Sequence, residues 1–328
     1  MLIVGGGLAG LAAAQQLAGF SVLVLDKGKT VGGRLTTRHM VGGRADMGAQ
    51  FFTVRTAVFR EQVDDWLARD VVFEWSRGWS DGSAAGGKPD GYPRYAAREG
   101  MQSLAFDLQE TATAAGVIVQ TRVKVVKITA VSPGWQLQDQ NGGQYQGRYL
   151  MLTPPVPQSL ALLARSHIPL QPVDRLALQQ IRYAPCLCGL FRVEGDVALP
   201  EPGALQRHNH PFSWLANNQR KGISPEAQLI TVHAGPEQSR ILWSLSPASA
   251  LAALRQELSQ FLGANAAIRE ARLKRWRYAS LDSVYEERFL EAENLPPLLF
   301  AGDGFGGPRV EGAFLSGVAV GKRVKERL

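Results

Sequence analysis

The feature that most constrains this chain is a run of glycines between a short apolar strand and a helix. Gly5-Gly6-Gly7-Leu8-Ala9-Gly10 has the spacing G-x-G-x-x-G and follows the apolar residues 2–4. The first glycine permits a tight turn, the second lets the backbone approach a pyrophosphate, and the third lets the helix pack close to the strand. The helix predicted over residues 8–20 would direct unpaired N–H groups and its positive end at phosphates.

The segment after this helix supplies the rest of a nucleotide-binding unit. A second apolar strand is predicted over residues 21–25 and ends at Asp26. A carboxylate in that place can accept hydrogen bonds from both hydroxyls of an adenosine ribose. Strand, helix, strand and terminal acid occur in the required order, so the sequence predicts dinucleotide binding rather than a structural glycine turn.

Two more glycine- and arginine-bearing loops follow soon after Asp26. They are Gly32-Gly33-Arg34 and the stretch from Gly42 to Phe52. A nicotinamide enzyme usually continues instead with another helix–strand unit. Backbone and guanidinium groups so close to the first loop indicate that the chain wraps an extended diphosphate.

The far end of the chain carries a matching pattern. A strand predicted over residues 297–301 runs into Gly302-Asp303-Gly304, and Val310-Glu311-Gly312-Ala313 opens a final amphipathic helix. The N-terminus of such a helix can stabilise negative charge on a ligand bound in front of it.

Together these stretches resemble the FAD-binding half of the glutathione-reductase-like, amine-oxidase-type flavoproteins. The resemblance implies that Arg34 lies along the pyrophosphate of FAD and that Arg44 lies near the isoalloxazine. It also implies that Asp303 hydrogen-bonds the ribityl chain. The predicted cofactor-binding residues are Gly5, Gly7, Leu8, Ala9, Gly10, Asp26, Lys27, Gly33, Arg34, Arg44, Gly48, Ala49, Gln50, Val123, Thr153, Gly302, Asp303, Val310, Glu311, Gly312 and Ala313.

The flavin motifs lie at opposite ends of the chain, so the fold must bring separated segments together. We expect an α/β protein with a Rossmann-like FAD-binding domain and a mixed α+β substrate domain. The FAD-binding domain is predicted from residues 1–52, 100–155 and 271–328, and it includes a small β-meander with Val123 near the adenine. The substrate domain is predicted from residues 53–99 and 156–270.

Pieces spread over nearly the whole chain resemble the renalase-like branch of these flavoproteins. They are the Gly42-to-Phe52 loop, Tyr95 with Gly100, Met101 and Leu104, residues 152–158, residues 214–218 with Lys221, residues 232–234, and residues 274–279. The resemblance implies oxidation of mis-reduced nicotinamide dinucleotides, the 2- and 6-dihydro isomers of NAD(P)H. Hydride would pass to FAD, and O2 would reoxidise the flavin and give H2O2. By position, Asn218 and His233 would lie at the mouth of the flavin cavity, and Trp276, Arg277 and Tyr278 would line its roof as further catalytic residues.

Composition narrows the set of partners. With 36 Lys and Arg against 29 Asp and Glu, the net charge is +7 and favours an anionic small molecule such as a dinucleotide. The basic residues are scattered without a recognition motif, so no nucleic-acid partner is expected. No stretch offers ~18 uninterrupted apolar residues, so we expect no membrane partner. Only two cysteines, Cys186 and Cys188, are present, which predicts no metal centre and a cytoplasmic location; no feature indicates an oligomeric state.

Three classes of function share this flavin half. The first is an enzyme, a flavin oxidase or dehydrogenase acting on dihydronicotinamide-type donors. The second is a flavin amine oxidase or a carotenoid-type desaturase; the former expects facing aromatic rings across the flavin, the latter an apolar tunnel. The third is a non-catalytic dinucleotide-binding module. Hydride transfer asks the protein mainly to position the donor and exclude water, which agrees with the lack of a paired nucleophile and base in the sequence.

Overall fold

A computed structural model of the protein describes residues 1–82 and 90–327. Residues 83–89 of the predicted substrate segment, and Leu328, lie outside the described residues. The strands are β1 (Leu2–Val4), β2 (Leu23–Leu25), β3 (Thr37–Met40), β4 (Gly43–Asp46), β5 (Val72–Ser76), β6 (Arg94–Ala97), β7 (Ile118–Gln120), β8 (Val125–Val131), β9 (Gly134–Asp139), β10 (Gln144–Gly147), β11 (Leu150–Leu152), β12 (Arg182–Glu194), β13 (Ala204–Gln206), β14 (Phe212–Asn217), β15 (Leu229–Ala234), β16 (Ala267–Ser283), β17 (Leu290–Glu291) and β18 (Leu298–Phe300). The helices are α1 (Leu8–Gln16), α2 (Ala57–Ala68), α3 (Ser103–Ala114), α4 (Val156–Arg165), α5 (Pro172–Gln180), α6 (Pro236–Trp243), α7 (Pro247–Ser259) and α8 (Arg309–Lys325).

A six-stranded sheet in the order β17-β18-β11-β1-β2-β7 forms the first layer of the fold. Five of its strands are parallel, and β17 pairs antiparallel with β18 at the edge. Strands β1, β11 and β18 are buried along their whole length, as expected for a parallel sheet covered on both faces. The α/β, Rossmann-like fold class predicted from the sequence is therefore confirmed.

The strand order reverses direction between β1 and β11. From β1 the chain builds the sheet outward through β2 and β7, and it then returns to add β11 and β18 on the other side. Ligands of open α/β sheets bind at such a switch point, beyond the carboxyl ends of the strands. Gly5 and Thr153 directly follow β1 and β11, so both lie at this crevice.

Helices α1 and α8 pack closely because α8 presents glycines to α1. A Cβ added at Gly317 of α8 would lie 2.1 Å from the Ala9 carbonyl oxygen of α1, and one at Gly321 would lie 2.4 Å from Gln16 Cβ. The glycines thus let the two helix backbones approach closely. Helix α1 ends at Gln16 rather than continuing to residue 20, because the chain turns through Gly19 at φ +87°.

A second sheet, antiparallel in the order β13-β14-β15-β12-β16, carries the other half of the protein. Helices α6 and α7 cover one face of it through an apolar cluster that includes Leu242, Leu254 and Leu258. The opposite face packs against β4 and the loop that follows β4. The domain boundary predicted at residue 271 falls inside β16, which pairs with β12 along its length. The domain boundaries stay a prediction.

Three smaller units complete the fold. Strands β8, β9 and β10 form the antiparallel meander expected from the sequence, β3 pairs with β4, and β5 pairs with β6. The described helices include none with the length and hydropathy of a membrane span.

Candidate functional site

The three motif glycines at the N-terminus have three different surroundings. Gly5 has φ +107°, and a Cβ there would lie 2.3 Å from Thr153 Oγ1. A Cβ at Gly10 would lie 2.1 Å from the Gly5 carbonyl oxygen, so only glycine permits this contact between strand and helix. A Cβ at Gly7 would meet no protein atom within 4 Å. The space in front of Gly7 is open, as the approach of a pyrophosphate requires.

Free backbone N–H groups at the start of α1 make this open space suitable for an anion. Helix α1 has Gly7 as its N-cap, with no side-chain cap and no acidic residue in the first turn. The N–H groups of Leu8 and Ala9 in that turn have no intrahelical acceptor, so they can donate to a phosphate. The cradle therefore fits the diphosphate of FAD.

Asp26, the predicted ribose-binding acid, accepts hydrogen bonds from two nearby backbone N–H groups. Asp26 Oδ2 accepts from the Gly6 N–H at 2.7 Å, and Oδ1 accepts from the Gly28 N–H at 2.6 Å. Each carboxylate oxygen keeps a lone pair for a ribose hydroxyl. The Val123 N–H donates to the Asp26 carbonyl at 2.8 Å, which places Val123 beside this acid. The Lys27 ammonium instead donates to Gln158 Oε1 at 2.8 Å, so its side chain is directed toward α4.

Arg34 and Asp303 meet although 269 positions separate them. The Arg34 guanidinium donates to both Asp303 oxygens, at 2.6 and 2.7 Å, and to the Tyr278 carbonyl at 3.4 Å. The Arg34 carbonyl accepts from the Ala49 N–H at 2.9 Å, and a Cβ at Gly48 would lie 1.8 Å from the same oxygen. The predicted G-G-R loop, the 48–50 turn and the Gly302-Asp303 turn therefore form one unit.

The start of α8 is attached to the start of α2 through Glu311, a residue predicted to bind the cofactor. Glu311 accepts from the Thr56 N–H and Oγ1 at 2.8 and 2.7 Å and from the Arg55 N–H at 3.0 Å, so its carboxylate holds α8 to the start of α2. Val310 is buried in the core with Ala313 packed beside it. A Cβ at Gly312 would lie 1.8 Å from the Gly307 carbonyl. What remains available for a ligand is the helix terminus itself, which has no side-chain cap.

A buried ion pair lies beneath the loop after β4. Lys221 Nζ is 2.6 Å from Asp46 Oδ2, and both side chains are 0% exposed. Lys221 also donates to the Gln50 carbonyl at 2.6 Å and lies 4.7 Å from the ring centroid of Trp75. Asp46 Oδ1 accepts from the Met101 N–H at 2.8 Å. No local sequence pattern relates Lys221 to Asp46, because their contact depends on pairing between distant segments of the chain.

Three of the predicted site residues, Asn218, Arg44 and Gln50, make hydrogen bonds at the end of β4 and in the loop that follows it. Asn218 is wholly buried; it donates to the Leu229 carbonyl and to Thr231 Oγ1, and it accepts from the Asp46 N–H. Its amide is engaged within the protein, so the prediction that it lies at the mouth of the cavity is wrong. Arg44 pairs with Glu99 and donates to the Ile223 carbonyl, and its place near the isoalloxazine stays a prediction. Gln50 donates to the Asp46 and Gly48 carbonyls and closes the turn between them.

His233 and Trp276 bind the same backbone oxygen. His233 Nε2, on β15, and Trp276 Nε1, on β16, each lie 3.0 Å from the Met47 carbonyl oxygen. A carbonyl only accepts, so His233 Nε2 carries a proton. Burial, with a smaller contribution from the Lys221 cation, lowers the pKa of His233 to about 4. At neutral pH His233 is therefore an uncharged donor that orients the Met47 peptide.

The three predicted roof residues do not share a face of the sheet. Tyr278 packs edge-on against Tyr183 with ring centroids 5.7 Å apart, and its carbonyl accepts from Arg34. Trp276 packs with Cys188 and Met47, whereas Arg277 is exposed and lies over the ring of Trp243 at 5.7 Å. Adjacent residues of a strand point to opposite faces. Arg277 is thus removed from the predicted site.

The pKa of His233 gives a testable pH dependence. Its ordinary pKa is 6.5 and its native value is about 4. Between those values the unfolded chain binds more protons, so the free energy of unfolding should fall as the pH is lowered through this window. Urea unfolding of the wild type and of His233→Gln at several pH values measures this: the variant should show a flatter decline, and the exposed His208→Gln should not. Parallel curves for wild type and His233→Gln would contradict it.

Comparison with known proteins gives a family and a fold. Residues 71–325 match the family described as flavin containing amine oxidoreductase, and residues 3–66 match the NAD(P)-binding Rossmann-like domain. Similar solved structures include a candidate protoporphyrinogen oxidase from Exiguobacterium sp. 255-15 (TM-score 0.74, 12% identity, 100% of this chain and 98% of that one). They also include wild-type putrescine oxidase bound to putrescine (TM-score 0.68, 15% identity, 99% and 98%) and an oxidoreductase from Methanosarcina mazei (TM-score 0.66, 14% identity, 98% and 99%). At these identities the structures establish a shared fold.

Proposed function

The chain belongs to the flavin-containing amine oxidoreductase family, and we propose that it oxidises a dihydronicotinamide-type donor, as the renalase-like branch does. It is an FAD-dependent oxidoreductase. FAD, held at the turn before α1, Asp26 and the Arg34–Asp303 unit, would supply the redox chemistry: the two electrons and one proton of the donor's hydride, with one further proton from water, would convert O2 to H2O2. The donor leaves as the aromatic nicotinamide cation, so charge and electrons balance.

The charges around the loop after β4 carry this proposal. The two buried carboxylates beside the loop, Asp46 and Asp303, are each paired with a cation, Lys221 and Arg34 respectively. Neither is free to bind the ammonium group of an amine. A dihydronicotinamide ring is uncharged and its dinucleotide is anionic, so it needs no free carboxylate. The net charge of +7 would also favour encounter with such a dinucleotide.

The aromatic residues beside the loop also disfavour an amine oxidase. Phe51, Trp79 and Trp214 lie with ring centroids 5.1 to 5.4 Å apart, and Trp75 lies 4.6 Å from Trp79. These rings pack on one another as a continuous cluster. An amine site would instead need two rings that face each other across a gap.

The side chains of the protein would position the donor, and none of them would need to exchange a proton with it. His233 and Trp276 orient the Met47 peptide, and the face of the second sheet that carries them would cover the donor and exclude water. The two cysteines are unbonded, which fits the reducing conditions of the cytoplasm, where we place the reaction.

Anaerobic reduction of the flavin tests the proposal. The purified holoenzyme should lose its oxidised flavin absorbance within seconds on mixing with 2- or 6-dihydro isomers of NAD(P)H. Putrescine and ordinary NADPH should leave it oxidised over the same time, and admission of air should restore the absorbance and yield one H2O2 per donor. Bleaching by amines but not by the dihydro isomers would replace this proposal with amine oxidation. A flavin that no donor bleaches would favour a non-catalytic module.

A further inference from the structure

We propose that Lys274, assisted by Arg38, binds a phosphate group of the dinucleotide donor, so that these two residues raise its affinity over that of a free dihydronicotinamide ring. This inference rests on the proposed function and adds the recognition of the donor's anionic part. It concerns two residues outside the predicted site.

Lys274 lies on the sheet face that covers the loop after β4. In the register of the second sheet it pairs with Cys188, which pairs in turn with His233. Directly paired residues of an antiparallel sheet point to the same face. Trp276 is two residues further along β16 and therefore shares this face. The Lys274 ammonium lies 4.6 Å from the Trp276 ring centroid.

Among the described residues, neither Lys274 nor Arg277 of β16 has a carboxylate partner, but Arg277 lies over Trp243 and Lys274 lies over Trp276, whose indole N–H binds the Met47 carbonyl. Arg269 and Arg272 pair with Glu194 and Glu270, and Arg275 donates to the Leu245 carbonyl. In the part of the chain that the structure describes, no carboxylate lies within ion-pair distance of the Lys274 ammonium. Its charge is held by the face of an indole and remains available to an anion.

Arg38, on the β3–β4 hairpin, supplies a second cation, and we call the edge that carries Lys274 and Arg38 the rim. It pairs with Ala45 across the β3–β4 hairpin, and it shares a strand face with Met40. Ala45 and Met40 belong to the apolar cluster that also contains Cys188 and Trp276. Arg38 is exposed, and among the described residues no acidic group pairs with it. An ammonium and a planar guanidinium at one edge suit the oxygens of a diphosphate.

Trp276 links this rim to the flavin loop, because its indole N–H binds the Met47 carbonyl while its ring face contacts Lys274. A dinucleotide could therefore place its ring over the loop and its phosphates at the rim. A doubly cationic amine would meet repulsion at the same edge.

The test compares two donors on three variants of the holoenzyme. One donor is a dihydro isomer of NADH, which carries the diphosphate; the other is an N-alkyl dihydronicotinamide, which carries no phosphate. Stopped-flow flavin reduction should show that Lys274→Glu raises the half-saturating concentration of the dinucleotide about tenfold or more, with the limiting rate within about twofold. The N-alkyl donor should be unaffected. Lys274→Arg should retain most of the affinity, and the exposed Lys325→Glu, which changes net charge equally, should behave as wild type.

Three results would overturn the inference. Equal losses for both donors, or a lower limiting rate, would assign Lys274 a structural role through Trp276. An unchanged half-saturation for the dinucleotide would exclude phosphate binding. If neither donor reduces the wild type, the proposed function itself fails. Calorimetric titration with inorganic pyrophosphate then tests the anion site separately. The wild type should bind pyrophosphate and Lys274→Glu should not, and equal binding by both would exclude the anion site.

Discussion

Replacement of Lys221 by Met is expected to lower the free energy of unfolding by about 3–5 kcal/mol. The substitution leaves the Asp46 carboxylate wholly buried without its cation, and an uncompensated buried charge costs about this much. It also removes the donor that fixes the Gln50 carbonyl, so FAD should dissociate more readily from the folded variant. Urea unfolding with FAD in excess measures the first effect, and flavin content after gel filtration measures the second.

Two comparisons separate this explanation from a general loss of packing. The double variant Lys221→Met with Asp46→Asn removes the stranded charge and should recover a large part of the lost stability. Arg98→Met breaks the ion pair with Asp70, whose side chains are 48% and 74% exposed, and should cost less than about 1 kcal/mol. If the double variant is no more stable than Lys221→Met alone, the buried charge is not the cause.

Alanine at Gly7 and at Gly10 should have opposite effects on folding and on FAD binding. At Gly10 the new Cβ would lie 2.1 Å from a backbone oxygen, so Gly10→Ala should separate β1 from α1 and reduce the yield of folded protein. At Gly7, with φ −79°, a Cβ meets no protein atom. Gly7→Ala should therefore fold as the wild type but bind FAD at least about tenfold more weakly, since the methyl group fills the space in front of the helix N-terminus.

Apoprotein unfolding curves and FAD titrations of both variants measure these effects. Gly7→Ala should match the midpoint of the wild-type apoprotein, whereas Gly10→Ala should not. Full flavin retention by Gly7→Ala would place the diphosphate elsewhere.

The parts of the fold that were predicted correctly depend on short-range patterns. Gly5, Gly10 and Asp26 could be assigned because strand, turn, helix and strand follow one another within about 25 residues. At Gly5 and Gly10 a side chain would clash, and Asp26 directly follows the second strand. The expectation that Arg34 and Asp303 share one site came from the resemblance, since no local pattern relates residues 269 apart.

The errors lie where tertiary pairing decides the outcome. The position of Arg277 could not be derived from strand alternation alone, because the register of β16 against β12 is irregular between Trp276 and Ser280. Nor could that of Asn218, since its burial depends on the contact between β4 and β15. The Asp46–Lys221 pair joins positions 175 apart and has no motif, so only the folded structure reveals it.

The contact between α1 and α8 has a consequence for the order of assembly. A chain synthesised from its N-terminus forms the glycine-rich turn early, but the surface of α1 beside Ala9 stays uncovered until residues 309–325 emerge. Asp303 and the start of α8 arrive at the same late stage. FAD should therefore bind after translation is complete. Because FAD would contact both ends of the chain, its binding should stabilise the folded state, and the amount of mature protein should rise with the concentration of available FAD.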